Sequence, residues 1–71
     1  MSNIVTKEGV TVKVGQVWRD LDKRFVRDAE VVFVDAELGK AHMRTGGRET
    51  KVSIKRMHKS STGWALVWSA P

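Results

Sequence analysis

Apolar residues recur mainly in alternation with polar ones along this chain, with valine the commonest of them. A period of two is typical of β-strands that bury one face, whereas an amphipathic helix needs a period near 3.6. The pattern therefore predicts an all-β chain with no amphipathic helix. A short extended lead-in at residues 10–14 precedes five predicted strands, at residues 16–20, 27–35, 41–45, 48–53 and 64–68.

The segment 27–35 gives the clearest strand pattern. Its alternation puts Ala29, Val31 and Phe33 on one face. Val32 and Val34 fall on the other face, so the second half of the strand is apolar on both sides. Strands buried on both faces lie inside a sheet, which predicts that this strand is central.

The dipeptide Gly46-Gly47 predicts a two-residue hairpin loop, because such turns need positive φ angles that glycine adopts without steric strain. A two-residue loop pairs Thr45 with Arg48 and fixes the register of both strands. One face of the hairpin is then basic. We assign Ala41, Met43, Thr50, Val52 and Ile54 to the inner face, and His42, Arg44, Glu49, Lys51, Ser53 and Lys55 to the outer face.

Three further segments break the strand pattern. Gly15 predicts a bend, residues 21–25 an exposed loop, and residues 54–57 a single 3₁₀ turn. Five short strands with this spacing predict a small five-stranded SH3-like β-barrel. We expect residues 1–9 to form a flexible N-terminal segment and residues 10–71 to form a single domain.

The composition limits what holds this domain together. The chain has 71 residues, no cysteine, three tryptophans and two phenylalanines, so a thin hydrophobic core must stabilise it without disulfides. A thin core leaves homo-oligomerisation open. No apolar run approaches the roughly 20 residues of a membrane span, and the N-terminus does not resemble a signal peptide. We therefore expect a cytoplasmic protein with no membrane partner.

The net charge of +5 is unevenly distributed. Residues 1–38 carry −1 and residues 39–71 carry +6. A basic surface of this kind predicts contact with the backbone of a nucleic acid or with a nucleoprotein complex, although a solvated sheet face would show the same composition. The candidate nucleic-acid-binding residues are Arg44, Arg48, Lys51, Lys55, Arg56 and Lys59.

The sequence gives little support for catalysis or metal binding. Asp20 and Asp22 form a closely spaced carboxylate pair in the predicted first loop, and acidic residues in turns commonly bind loop amides. His42 and His58 lie 16 residues apart with no cysteine to complete a zinc site. The sequence predicts no enzyme, no cofactor and no metal.

Two segments carry a resemblance. Residues 12–24 read Val-Lys-Val-Gly-Gln-Val-Trp-Arg-Asp-Leu-Asp-Lys-Arg, and residues 62–67 read Thr-Gly-Trp-Ala-Leu-Val. They resemble a group of small bacteriophage and bacterial proteins that share a Gly-x-Val-Trp-x-Asp-x-Asp-x-Arg opening. The resemblance implies an SH3-like barrel and no particular activity. The Gly-Gln-Val opening is also similar to barrel modules of the KOW and Tudor type.

A second hypothesis follows from the same residues. An aromatic patch beside an acidic loop is where SH3-like barrels usually grip a peptide. The domain would then be a phage-type accessory or inhibitor protein that docks onto a host protein. Its partner-binding residues would be Trp18, Asp20, Asp22, Arg24 and Trp68.

Overall fold

The computed structural model describes residues 4–24 and 27–69. Residues 1–3 of the predicted N-terminal segment, Phe25 of the predicted first loop and residues 70–71 lie outside them. The described chain forms five antiparallel strands in one sheet, in the order β4-β3-β2-β1-β5. The elements are β1 (Val17–Asp20), β2 (Arg27–Asp35), β3 (Lys40–Thr45), β4 (Arg48–Ser53), a 3₁₀ turn (Ile54–Arg56) and β5 (Trp64–Trp68).

The prediction of an all-β chain with five strands is confirmed, as is the 3₁₀ turn before the last strand. Strand β2 lies in the middle of the sheet and pairs with both β1 and β3, so its predicted central position is also confirmed. The sheet as described is open, with β4 and β5 at its two edges.

The β3–β4 hairpin has the predicted register. Gly46 and Gly47 have φ angles of 54° and 86°, the positive values that a two-residue hairpin turn requires. Thr45 pairs with Arg48, and the pairing runs to Lys40 and Ser53 without a shift. Of the residues assigned to the inner face, Thr50 is exposed, whereas the other four are buried.

Strand β2 contains a bulge that the alternation did not predict. Val31 pairs with Met43 and Phe33 pairs with His42, so Val32 is an extra residue with no partner on β3. An extra residue turns the side chains that follow it to the opposite face. The placement of Phe33 with Ala29 and Val31 was therefore wrong: Phe33 lies on the outer face and is 52% exposed.

A second irregularity changes the last strand. Trp18 pairs with Leu66 and Val17 pairs with Trp68, so Val67 is the extra residue here. The prediction that Trp64, Leu66 and Trp68 share one face fails at Trp68, which turns to the outer side of the sheet. Trp64 is 6% exposed and Trp68 is 53% exposed, so the two rings have different environments.

The core lies on the inner face of the sheet. Trp18 and Met43 are its largest fully buried side chains within the strands, and Ile54 of the 3₁₀ turn and Met57 directly after it belong to the same cluster. Ten buried apolar residues make up this cluster in the described chain: Val12, Trp18, Ala29, Val31, Ala41, Met43, Val52, Ile54, Met57 and Trp64.

The segment before β1 packs against this core. Val12 is buried and its amide donates a hydrogen bond to the Ile4 carbonyl, while Val5 and Thr11 form an isolated bridge. The predicted bend at Gly15 is present, with a φ of 96°. Val14 is exposed, so it does not share the buried position of Val12. Flexibility of the first nine residues stays a prediction.

Gln16 is a buried polar residue whose side-chain amide is fully used. Its Oε1 accepts hydrogen bonds from the Lys13 amide at 2.9 Å and from the indole Nε1 of Trp18 at 3.1 Å. Its Nε2 donates to the Thr11 carbonyl at 3.0 Å and to the Ser69 hydroxyl at 3.2 Å. Gln16 therefore joins the segment before β1, the core tryptophan and the chain beyond β5.

We predict that Gln16→Leu destabilises the domain. The leucine would leave the Trp18 indole N–H and the Lys13 amide without acceptors, at a cost of about 1–3 kcal/mol for each buried group left unpaired. The midpoint of urea unfolding measures this loss. Lys13→Ala is the matched control, because it keeps the backbone N–H and removes only an exposed side chain. A Gln16→Leu variant as stable as Lys13→Ala would contradict the prediction.

Candidate nucleic-acid interface

Arginine–carboxylate pairs take up much of the charge in the first half of the chain. Arg19 contacts Asp28 at 2.9 Å and Arg24 contacts Asp22 at 2.9 Å. Arg27 lies 3.4 Å from the carboxylate of Asp20. In the part of the chain that the structure describes, every arginine–carboxylate bridge falls between residues 19 and 28.

The acidic loop after β1 is organised by its own carboxylates. Asp20 accepts a hydrogen bond from the Asp22 amide at 3.0 Å, and Asp22 accepts one from the Arg24 amide at 3.0 Å. The side-chain hydrogen bond from Arg24, followed by the one from its amide, lowers the pKa of Asp22 below its ordinary value. These carboxylates act as turn and pairing residues, as acidic loop residues commonly do.

The aromatic and acidic patch of the docking hypothesis is not assembled. Trp18 is 1% exposed, since its ring fills the core and its indole N–H is bonded to Gln16. Asp20 is buried beside Arg27. Trp68 is exposed on the outer face, whereas Trp18 and Asp20 belong to the inner one. The roles predicted for Trp18 and Asp20 at a partner surface are therefore corrected to structural ones.

The predicted nucleic-acid-binding residues are all exposed. Arg44 and Lys51 lie on the outer face of the hairpin, and Arg48 lies at its turn. Lys55 and Arg56 belong to the 3₁₀ turn, and Lys59 to the loop after it. Within residues 4–24 and 27–69, none of the six has a carboxylate oxygen within 4.0 Å.

The outer face is less basic than the hairpin alone predicts. Pairing with β2 puts Glu30 opposite Arg44 and Asp35 opposite Lys40. Glu49 is opposite Arg44 on the other side. Residues that face each other across strands are close enough to interact, so these acids offset the cations beside them. Sequence patterning missed this because β2 and β3 were assigned faces separately.

A cleft of about 470 Å³ opens between β4 and the acidic loop. Among its charged lining residues, Asp20 and Asp22 are already paired with Arg27 and Arg24. Within the described residues, no carboxylate is paired with the other cations of the lining. These unpaired cations are Lys40, Lys51 and Arg56.

Phe33 lies on the same outer face, in a row of residues that crosses three strands. It is opposite His42, which is opposite Lys51. The Phe33 and His42 rings are 5.0 Å apart in an edge-to-face arrangement. His42 Nδ1 lies 3.4 Å from Glu49 Oε1. Sequence patterning gave no signal for this placement, because it follows from the bulge at Val32.

We predict that the Asp22 carboxyl titrates below its ordinary pKa of 3.8. Because folding lowers this pKa, the ionised carboxyl stabilises the folded loop at pH values above the unfolded pKa. The stabilisation is lost as the pH falls through the folded pKa. Arg24→Ala removes the side-chain hydrogen bond and should raise the pKa towards 3.8, as measured by carboxyl NMR titration. Lys23→Ala is the control. An Asp22 pKa that Arg24→Ala leaves unchanged would contradict this cause.

A group of metal ligands and a membrane-spanning helix are both absent from the described residues. Across residues 4–24 and 27–69, no three histidine, aspartate or glutamate side chains gather in a group that could hold a metal ion. The same part of the chain contains no helix with the length and hydropathy needed to cross a bilayer. No protein-family model, curated protein or solved structure matches the chain.

Proposed function

We propose that this chain is a small, basic, non-enzymatic binding module that contacts the phosphate backbone of a nucleic acid, free or within a nucleoprotein complex. The contacting residues are those of the hairpin, the 3₁₀ turn and the loop that follows. They are Arg44, Arg48, Lys51, Lys55, Arg56 and Lys59.

One observation carries this proposal. The arginines of residues 19–28 are neutralised by carboxylates at 2.9–3.4 Å, whereas the six cations named above are exposed with no carboxylate within 4.0 Å in the described chain. Unpaired surface cations are available to neutralise phosphates and to release the counterions condensed on them. These six cations are thus available to a partner, with the acids opposite Arg44 offsetting part of its charge.

The host-docking hypothesis has weaker support. Of its residues, Trp18 and Asp20 are buried and Asp22 is paired with Arg24. Trp68 and Arg24 are the exposed members of the set, and Arg24 is bridged to Asp22. Trp68 lies on the outer face whereas Trp18 and Asp20 belong to the inner one, so these residues give the hypothesis little support.

We also propose that the five-stranded sheet coils into an SH3-like barrel. The 3₁₀ turn between β4 and β5 supports this, because it carries the chain from one edge of the sheet to the other. The cleft gives further support, since it is lined both by Val52 of β4 and by Trp64 of β5. A nuclear Overhauser contact between the Val52 methyls and the Trp64 ring is expected, and its absence would favour an open sheet.

Binding is tested by fluorescence anisotropy with labelled duplex and single-stranded oligonucleotides. We expect micromolar or tighter binding at about 50 mM salt that weakens steeply by about 200 mM. The triple variant Lys51→Gln, Lys55→Gln, Lys59→Gln should bind more weakly. On duplex DNA, the magnitude of the slope of log K against log salt should decrease by about 0.9 for each phosphate that the variant no longer neutralises.

The control variant carries the same change of charge elsewhere. Lys7→Gln, Lys13→Gln, Lys23→Gln removes three exposed lysines from the first half of the chain. It should keep most of the affinity. Equal weakening by both triple variants would show that net charge, rather than this surface, drives binding. No binding by the wild-type protein at micromolar concentration and low salt would overturn the proposal.

A further inference from the structure

The outer face of the sheet presents an aromatic ring among polar residues. Phe33 is 52% exposed because the bulge at Val32 turns it away from the core. The edge-to-face contact with His42, at 5.0 Å, gives the ring a neighbour on one side. Such contacts help to hold an aromatic ring in one orientation. An aromatic ring that is half-exposed and held in one orientation can stack with another planar ring.

Cations stand beside this ring. Lys51 follows Phe33 and His42 in the same row across the sheet, about 10 Å from Phe33 given the spacing of neighbouring strands. Lys51 also lines the cleft at the edge of β4, together with Arg56. The row therefore leads from an aromatic ring, over one lysine, to a cleft whose unpaired charges are positive.

Three carboxylates share this face with the row. Glu49 lies 3.4 Å from the imidazole of His42. Asp35 accepts a hydrogen bond from the Leu38 amide at 3.0 Å, and Glu30 is opposite Arg44 in the sheet. Asp35 is opposite Lys40 in the pairing of β2 with β3, as Glu30 is opposite Arg44. Within the described residues Lys51 has no carboxylate oxygen within 4.0 Å, so an anionic chain that leaves Phe33 meets an unpaired cation there.

We propose that Phe33 is a stacking platform for an unpaired base, so that the preferred ligand of this domain is a single-stranded nucleic acid. The base lies on the exposed ring, and the attached backbone passes Lys51 towards Arg56 and the cleft. This inference rests on the proposed function and specifies the class of nucleic acid.

Stacking explains why a single strand should be preferred. The faces of bases in a duplex are covered by their neighbours, whereas single-stranded bases can be splayed onto aromatic side chains. Base–aromatic stacking tolerates any base, so it adds affinity without requiring a particular sequence. Lys51 and Arg56 alone would not distinguish a single strand from a duplex, because both carry phosphates.

The test compares three probes of equal length: a labelled thymidine 12-mer, an abasic 12-mer of the same backbone, and a 12-base-pair duplex. Wild-type protein should bind the thymidine strand most tightly. Phe33→Ala should weaken binding of that strand by about 5- to 150-fold, the effect of losing one stacked base. Its binding of the abasic strand and the duplex should change less than twofold, and Phe33→Trp should restore the affinity.

Leu38→Ala is the matched control, because Leu38 is the most exposed of the large apolar residues described, at 68%. It should leave all three affinities unchanged. Equal binding of the thymidine and abasic strands, or equal losses on all probes from Phe33→Ala, would overturn the stacking role and leave backbone binding intact. Failure of all three probes to bind would overturn the proposed function and this inference together.

Discussion

The side-chain amide of Gln16 is the interaction on which the rest of this domain depends. A chain of this size buries a smaller fraction of its surface than a larger domain does, so a single buried polar interaction matters more. Gln16 bonds the segment before β1, the indole of Trp18 and Ser69 beyond β5. A buried amide with all its bonds made fixes one arrangement of these parts, since any other would leave polar groups unpaired. Trp18, whose position the hydrogen bond to Gln16 fixes, belongs to the core under the sheet that carries the cations and Phe33.

The distribution of ion pairs divides this sheet into two parts. Arg19, Arg24 and Arg27 are held by nearby carboxylates. In the described chain, no carboxylate pairs with the lysines and arginines of β4, the 3₁₀ turn and the following loop. Exposed pairs such as Arg19 with Asp28 contribute little stability, so their main effect is to cancel charge. The net charge of +5 is carried by the second half of the chain, where residues 39–71 sum to +6.

Local patterns in the sequence were enough to predict much of this fold. Gly46-Gly47 specified the hairpin register, because only a turn with two positive φ angles suits a two-residue loop. The bulges at Val32 and Val67 were not predictable, since each depends on how a strand meets a neighbour distant in sequence. They reversed the placement of Phe33 and Trp68. The acids opposite Arg44 were missed for the same reason, whereas the exposure of the basic residues followed from composition and register.

The central claim is that a nucleic acid strand lies across the outer face from Phe33 to Lys51 and into the cleft at Arg56. The most direct measurement is an NMR titration of the labelled domain with a short single-stranded oligonucleotide. We expect the largest amide shifts at Phe33, His42, Lys51 and Arg56, with β5 little changed. Shifts centred on Val67 and Trp68, or no shifts at saturating oligonucleotide, would contradict the claim.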